Sequence, residues 1–204
     1  MPTRLLLVRH GQIAANVDAR WHGSTDGVLT EQGREEGRRL AAHLARTRPD
    51  ITAVCTSPLQ RARDTAAAIA DALGVPLLVE PGLAEYGIGV LENETYEDLA
   101  GRHRFFEQAE ADLHWAPPGG ESLNAVGERV LAAWWSIAHR HSDPAVVVSH
   151  GAAIAIGLAA LLDHDPRIWP RYRLRNTSIS EIELEPTPRL LAFNLVDHLT
   201  QADS

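Results

Sequence analysis

Short apolar runs alternate along this chain with longer segments whose apolar residues recur at helical spacing. Six runs are typical of buried or half-buried strands: 4–8, 51–57, 75–80, 145–153, 178–184 and 189–196. The main helical segments lie between them: 30–46, from Ser57-Pro58 to about Leu73, and 123–141. This alternation predicts a mostly parallel sheet with helices on both faces. We expect a single-domain three-layer α/β/α sandwich of about six strands over residues 1–204, ending in a frayed tail at 197–204.

Polar residues and glycines stand at the ends of three predicted strands. They are Arg9, His10 and Gly11 after the first strand, Ser57 with Arg61 on the helix that follows, and His150 with Gly151 after the β-branched run. In open sheets of this kind, ligands bind beyond the carboxyl ends of the parallel strands. We therefore expect these residues to meet at one edge of the sheet.

Two histidines and two arginines brought together suit a phosphoryl group. Arginine presents a planar fork of donors that matches phosphate oxygens, and a neutral imidazole is a competent nucleophile. Glycine after each histidine would let the backbone approach the ligand closely. An acid must still protonate the leaving oxygen, and the loop LAEYGIGVLENETYED offers Glu85, Glu92 and Glu94.

Six segments, in order along most of the chain, resemble the histidine phosphatase superfamily, also called phosphoglycerate-mutase-like. They are LVRHGQIAAN, DGVLTEQGREEG, CTSPLQRARDTA, LAEYGIGVLENETYEDL, PGGES and VVVSHG. Four positions depart from the family pattern: Gln12, Gly87, Leu91 and Asn93. None of these departures removes a residue that the family uses in catalysis, but we expect them to change the rim around the substrate, which the acid loop partly shapes.

The resemblance implies a role for each matched residue. His10 would accept the phosphoryl group as phosphohistidine, and Glu85 would protonate the leaving oxygen and then activate water. Three residues would hold the phosphate oxygens: Arg9, Arg61 and His150. Asn16 would add a donor, and His22 in RWHGSTDG is a candidate for the substrate rim. The family implies no metal.

Two assignments stay open at this point. Glu92 or Glu94 could stand nearer the leaving group than Glu85. Arg61 could instead pair with Asp64, three residues later on its helix, as exposed helical residues do.

The choice between phosphatase and mutase depends on residues 99–116. Mutases of this family usually carry a longer insertion there, with further basic residues for the substrate carboxylate. This segment is short and near charge balance, although Arg102 and Arg104 could serve a carboxylate. We expect a cofactor-free hydrolase of a small-molecule phosphomonoester. The alternatives are a phosphoglycerate mutase, which would need a bisphosphate primer, and a non-catalytic phosphate-binding relative.

Charge and composition narrow the partners. A net charge of −8 argues against nucleic acid. The chain has no apolar run approaching the ~18 residues of a membrane span, and its start lacks a signal-peptide pattern. With a single cysteine, these features favour a cytoplasmic protein.

The ten histidines include no H-E-x-x-H spacing, so no metal site is expected. The oligomeric state stays open, a homodimer included.

Overall fold

The computed structural model describes residues 4–141 and 144–200. Six strands form one sheet: β1 (Arg4–Arg9), β2 (Ala53–Thr56), β3 (Leu77–Val79), β4 (Ala145–Ser149), β5 (Ile179–Glu183) and β6 (Arg189–Leu195). Their order is β3-β2-β4-β1-β5-β6. The first four in this order are parallel, and β5 and β6 add antiparallel strands at one side. The expected mostly parallel six-stranded sheet is confirmed.

Helices cover both faces of the sheet. They are α1 (Ala14–Val17), α2 (Glu31–Thr47), α3 (Gln60–Leu73), α4 (Tyr96–Ala100), α5 (Phe105–Ala111), α6 (Leu123–Arg140), α7 (Gly151–Leu158) and α8 (Asp197–Thr200). Short 3₁₀ helices lie at Pro81–Leu83, Gly89–Leu91 and Pro166–Arg171, and a π-helical turn, Ala159–Asp163, continues α7.

The alternation of side chains along β1 shows how the layers form. Leu6 and Val8 pack with α2 and α3 on one face. Leu5 and Leu7 pack with α6 and α7 on the other. Successive side chains of a strand point to opposite faces, so a continuously apolar strand must be covered on both sides. The three-layer prediction is therefore confirmed in this strand.

Three predicted helix boundaries can be compared with the structure. Thr30 caps α2 and accepts a hydrogen bond from the Gly33 N–H, as its side chain predicts. Gly74 ends α3 in the left-handed conformation. The predicted start of this helix at Ser57-Pro58 is wrong, because α3 begins later, at Gln60, with Leu59 in the capping position.

The predicted frayed tail is also wrong in part. Residues Asp197–Thr200 form α8, which packs against α2. His198 is buried there, with its ring centroid 5.8 Å from that of His43. A segment this short carries no periodicity, so its polar composition alone suggested a tail. Residues 201–204 lie outside the described residues. In the part of the chain that the structure describes, none of the helices is long and apolar enough to cross a membrane.

Candidate active site

The two histidines meet because their strands are neighbours. β1 and β4 pair in parallel with Arg9 opposite Ser149. The residues that follow, His10 and His150, therefore leave the sheet side by side. Their ring centroids lie 5.1 Å apart.

His10 is held as a neutral imidazole with one free nitrogen. The ring is buried, and its Nδ1 lies 2.7 Å from the carbonyl oxygen of Gly11. A carbonyl can only accept, so Nδ1 carries the hydrogen and Nε2 keeps its lone pair. Burial, followed by the charges of Arg9 and Arg61, holds the pKa of His10 well below its usual value. The ring is therefore a ready nucleophile.

This low pKa predicts the titration of His10. The imidazole should stay neutral as the pH falls through 6.5, the usual value for histidine, because protonation would place a third positive charge beside two arginines. Nitrogen-15 NMR of the imidazole should show no protonation midpoint near that pH, with the signal assigned by its loss in His10→Gln. A midpoint at the usual histidine value would contradict the neutral nucleophile.

Arg61 is buried and holds several groups at once. Its Nε donates to His150 Nδ1 at 3.2 Å, and its terminal nitrogens donate to the carbonyls of His22, Gly23 and Thr25 at 2.8–2.9 Å. Asp64 instead accepts from Gln60. The helical pair between Arg61 and Asp64 is therefore not formed.

His150 is also neutral, in the opposite tautomer. Its Nδ1 accepts from Arg61, so Nε2 carries the hydrogen and donates to Ser57 Oγ at 2.7 Å. Burial and then the Arg61 charge hold its pKa well below the usual value. The ring is wholly buried and lies outside the cavity wall. His150 therefore contacts Arg61 and His10, which line the cavity, and does not line it itself.

Arg9 has an unsatisfied donor at the site. Its Nη1 donates to the Leu174 carbonyl at 2.7 Å, whereas its buried Nε has no hydrogen-bond partner within residues 4–141 and 144–200. A Cβ added to Gly151 would lie 3.3 Å from this Nε. The glycine at position 151 therefore keeps a side chain away from this buried Nε, whose missing hydrogen-bond partner an anion could supply.

Glu85 is fixed at the start of α7. Its carboxylate accepts from the backbone N–H groups of Tyr86, Ala152 and Ala153 at 2.8–3.2 Å. Glu92 instead accepts from four backbone N–H groups of two loops, those of residues 23, 24, 25 and 88. Glu94 pairs with Arg102. Among these three carboxylates, Glu85 is the one in the cavity wall.

Asn16 is oriented by a residue that the sequence did not suggest. Its Oδ1 accepts from Ile13 N and from Asn176 Nδ2, each at 3.1 Å, which leaves its own amide donors for a ligand. Asn176 Nδ2 also donates to the His10 carbonyl at 2.9 Å. The one local sequence signal here was the turn-forming run RNTS before β5. Within this turn, Thr177 has a positive φ of 53°.

Two other predicted residues have different outcomes. Gly11 does not line the cavity described below, and its N–H donates to Thr65 Oγ1 at 3.0 Å, so this N–H is already paired. A Cβ on Gly11 would collide with the Gly33 carbonyl, so close packing on α2 requires the glycine. His22 lies in the cavity wall, with its Nε2 3.1 Å from Asn93 Oδ1.

Most of the residues predicted for the site line one cavity of about 720 Å³. They are Arg9, His10, Asn16, His22, Arg61, Glu85 and Gly151. In the described part of the chain, there is no group of three or more His, Cys, Asp or Glu side chains placed to hold a metal ion. The fold and this site together define a class: an α/β protein whose paired histidines and arginines suit a phosphoryl group.

Comparisons with known proteins give the family. The profile of the histidine phosphatase superfamily (branch 1) matches residues 5–195. The chain is 32% identical over 199 residues to the probable phosphoglycerate mutase GpmB of Erwinia tasmaniensis, covering 95% of this chain and 91% of that protein. This chain belongs to the histidine phosphatase superfamily.

Two solved structures are similar over nearly their whole length. Phosphoserine phosphatase from Entamoeba histolytica has a TM-score of 0.85 at 28% identity, covering 96% of this chain and 98% of that one. Mycobacterial glucosyl-3-phosphoglycerate phosphatase has a TM-score of 0.82 at 30% identity, covering 94% and 98%. The names of the relatives thus divide between a mutase and phosphatases.

Proposed function

We propose that this chain is a metal-independent phosphomonoester hydrolase that works through a phosphohistidine intermediate on His10. The observation that carries the proposal is the neutral, buried His10 with a free Nε2. The unpartnered Nε of Arg9 beside it supports an anion at the same place. No bisphosphate primer is needed for hydrolysis.

The first chemical step forms the phosphoenzyme. The Nε2 lone pair of His10 attacks phosphorus, a P–N bond forms, and the ester P–O bond breaks. Glu85 gives its proton to the leaving oxygen, so an alcohol departs. Arg9 and Arg61 stabilise the charge on the phosphoryl oxygens throughout.

The second step returns the enzyme to its starting state. Glu85, now ionised, takes a proton from water. The resulting hydroxide attacks phosphorus, the P–N bond breaks, and inorganic phosphate leaves. His10 recovers its Nε2 lone pair, and Glu85 is again the acid.

Hydrolysis is favoured over mutase activity by the segment 99–116. Arg102 pairs with Glu94, and Arg104 pairs with Glu107. Neither arginine lies in the cavity wall. Phe105, the residue that follows Arg104, does line the cavity. The basic residues that could have served a substrate carboxylate are therefore engaged elsewhere. The name of the Erwinia tasmaniensis relative keeps the mutase as a second candidate.

Phosphorus NMR tests the two candidates directly. The protein would be incubated with 3-phosphoglycerate, an aryl phosphate, a chelator and a trace of bisphosphate primer. We expect inorganic phosphate from at least the aryl ester. Conversion of 3-phosphoglycerate to 2-phosphoglycerate without phosphate release would instead show a mutase.

Glu85→Gln should lower kcat/KM by a factor that depends on the leaving group. An alkoxide needs a proton, so the loss on alkyl phosphates should reach about 10²- to 10⁴-fold. A nitrophenolate leaves without protonation, so the loss on 4-nitrophenyl phosphate should be much smaller. The value of kcat/KM reports the first step, which separates this effect from water activation. Equal losses on both esters would assign the acid to another group.

A further inference from the structure

The residues proposed to hold phosphate account for only part of the cavity lining. Seven aromatic side chains also line it, and the six other than Tyr86 are called the aromatic wall here: Trp21, Tyr96, Phe105, Phe106, Trp169 and Tyr172. The wall has no role in the chemistry proposed above.

Trp21 holds most of the aromatic wall together. Its ring centroid lies 5.5 Å from that of Tyr96, 5.9 Å from Phe105, and 6.3 Å from both Phe106 and Trp169. Its indole N–H donates to the Tyr86 carbonyl at 3.1 Å, and the side chain is buried. Packed aromatic rings with a satisfied polar group form a rigid surface. The wall is thus preformed for an apolar ligand.

The arginines near the wall are poorly placed for a carboxylated leaving group. Arg20 donates to the Asn93 carbonyl at 2.8 Å, and Arg167 pairs with Asp165 at 2.9 Å. Arg173 also lines the cavity but is exposed, so water would screen its attraction for a carboxylate. A charged leaving group would therefore gain less here than an apolar one.

The size of the cavity agrees with a large leaving group. Its volume of about 720 Å³ lies within the roughly 300–1,000 Å³ of pockets that hold drug-sized ligands. A three-carbon phosphoester bound at His10 would leave most of the wall in contact with water.

We propose that the substrate of this site is a phosphomonoester with an extended apolar leaving group, which lies against the aromatic wall while its phosphate is bound at His10. This inference rests on the proposed hydrolase function. Phe106 and Trp169 are the selecting residues, because both are partly exposed in the cavity and they approach it from different segments, α5 and the 3₁₀ helix Pro166–Arg171.

A series of n-alkyl phosphates tests the proposal. Ethyl, butyl and hexyl phosphate have leaving groups of nearly equal basicity, so differences in kcat/KM report binding of the chain in the transition state. We expect kcat/KM to rise about tenfold for each two added carbons, since each methylene is removed from water. Hexyl phosphate should also exceed 3-phosphoglycerate.

Variants of the wall show whether these residues cause the preference. Phe106→Ala and Trp169→Ala should reduce the hexyl-to-ethyl ratio of kcat/KM at least tenfold, whereas Phe106→Leu should keep most of it. The control is Glu107→Gln, next to Phe106 in sequence on α5 but exposed and outside this cavity. It should keep the wild-type ratio. A ratio unchanged in both alanine variants would overturn the assignment.

The outcomes separate the two proposals. Two results would contradict the apolar leaving group and still support a hydrolase. One is phosphate release from all three alkyl esters at equal kcat/KM, and the other is a preference for 3-phosphoglycerate. No phosphate from any ester, aryl phosphate included, together with no phosphohistidine, would overturn the hydrolase and this inference with it.

Discussion

His10→Ala should abolish turnover, with kcat falling by a factor of about 10⁵ or more, while the fold is kept. The variant loses the proposed nucleophile, and we expect that the neighbouring His150 cannot replace it. His150 Nδ1 accepts from Arg61 and its Nε2–H donates to Ser57, so neither nitrogen is free. Steady-state assays with an aryl phosphate and trapping of acid-labile protein-bound phosphate measure the loss.

The stability of this variant should change little. The substitution removes one side-chain hydrogen bond, from His10 Nδ1 to the Gly11 carbonyl, which contributes about 1 kcal/mol. His139→Ala is the matched control, because His139 is exposed on α6, away from the cavity. It should keep wild-type activity. Appreciable turnover in His10→Ala, with no bound phosphate in the wild type, would refute the phosphohistidine mechanism.

The core of the site could be predicted because it depends on a simple rule. Parallel strands bring their carboxyl ends to one edge of a sheet, so residues that directly follow strands meet there. The apolar run before His10 was enough to predict its position at this edge. For Arg61, a strand followed by a helix was enough. The adjacency of His10 and His150 also required β1 and β4 to be neighbours, which the strand pattern alone does not give.

The family resemblance pointed to Glu85 as the acid, but the residues alone left Glu92 and Glu94 as alternatives. Glu85, Glu92 and Glu94 share one loop, and the path of a loop follows no periodicity. The structure distinguishes them by their partners: the start of α7 for Glu85, backbone N–H groups for Glu92 and Arg102 for Glu94. The need for a glycine at position 11 could not be predicted either, because Gly33, against which it packs, lies on a different element, α2.

Asn176 shows a different limit of sequence reasoning. It holds the His10 carbonyl and the Asn16 side chain from a turn more than 150 residues away. The run RNTS indicates only a turn, and the contact itself has no local signal, because it depends on β5 returning beside β1. The same holds for the aromatic wall, whose members come from separate segments that only the fold brings together.

Arg61→Met should damage activity and stability together. In the proposed mechanism the guanidinium stabilises charge on the transferred phosphoryl group, so its removal should lower kcat/KM about 10³-fold or more. It also satisfies the carbonyls of His22, Gly23 and Thr25 and orients His150. Leaving these buried and partly buried carbonyls without donors should reduce the free energy of unfolding by on the order of 3 kcal/mol. Denaturant titration and steady-state assays measure the two losses separately.

Two further variants show whether the fork of donors or the charge matters. Arg61→Lys keeps the charge but cannot reach His150 and the three carbonyls at once, so it should stay far below wild type in both assays. Arg63→Met is the matched control, because Arg63 lies on the same helix and is exposed. It should change neither quantity measurably. If Arg61→Lys restored full activity, charge alone would suffice, and the rigid placement of the guanidinium by these carbonyls would have no part in catalysis.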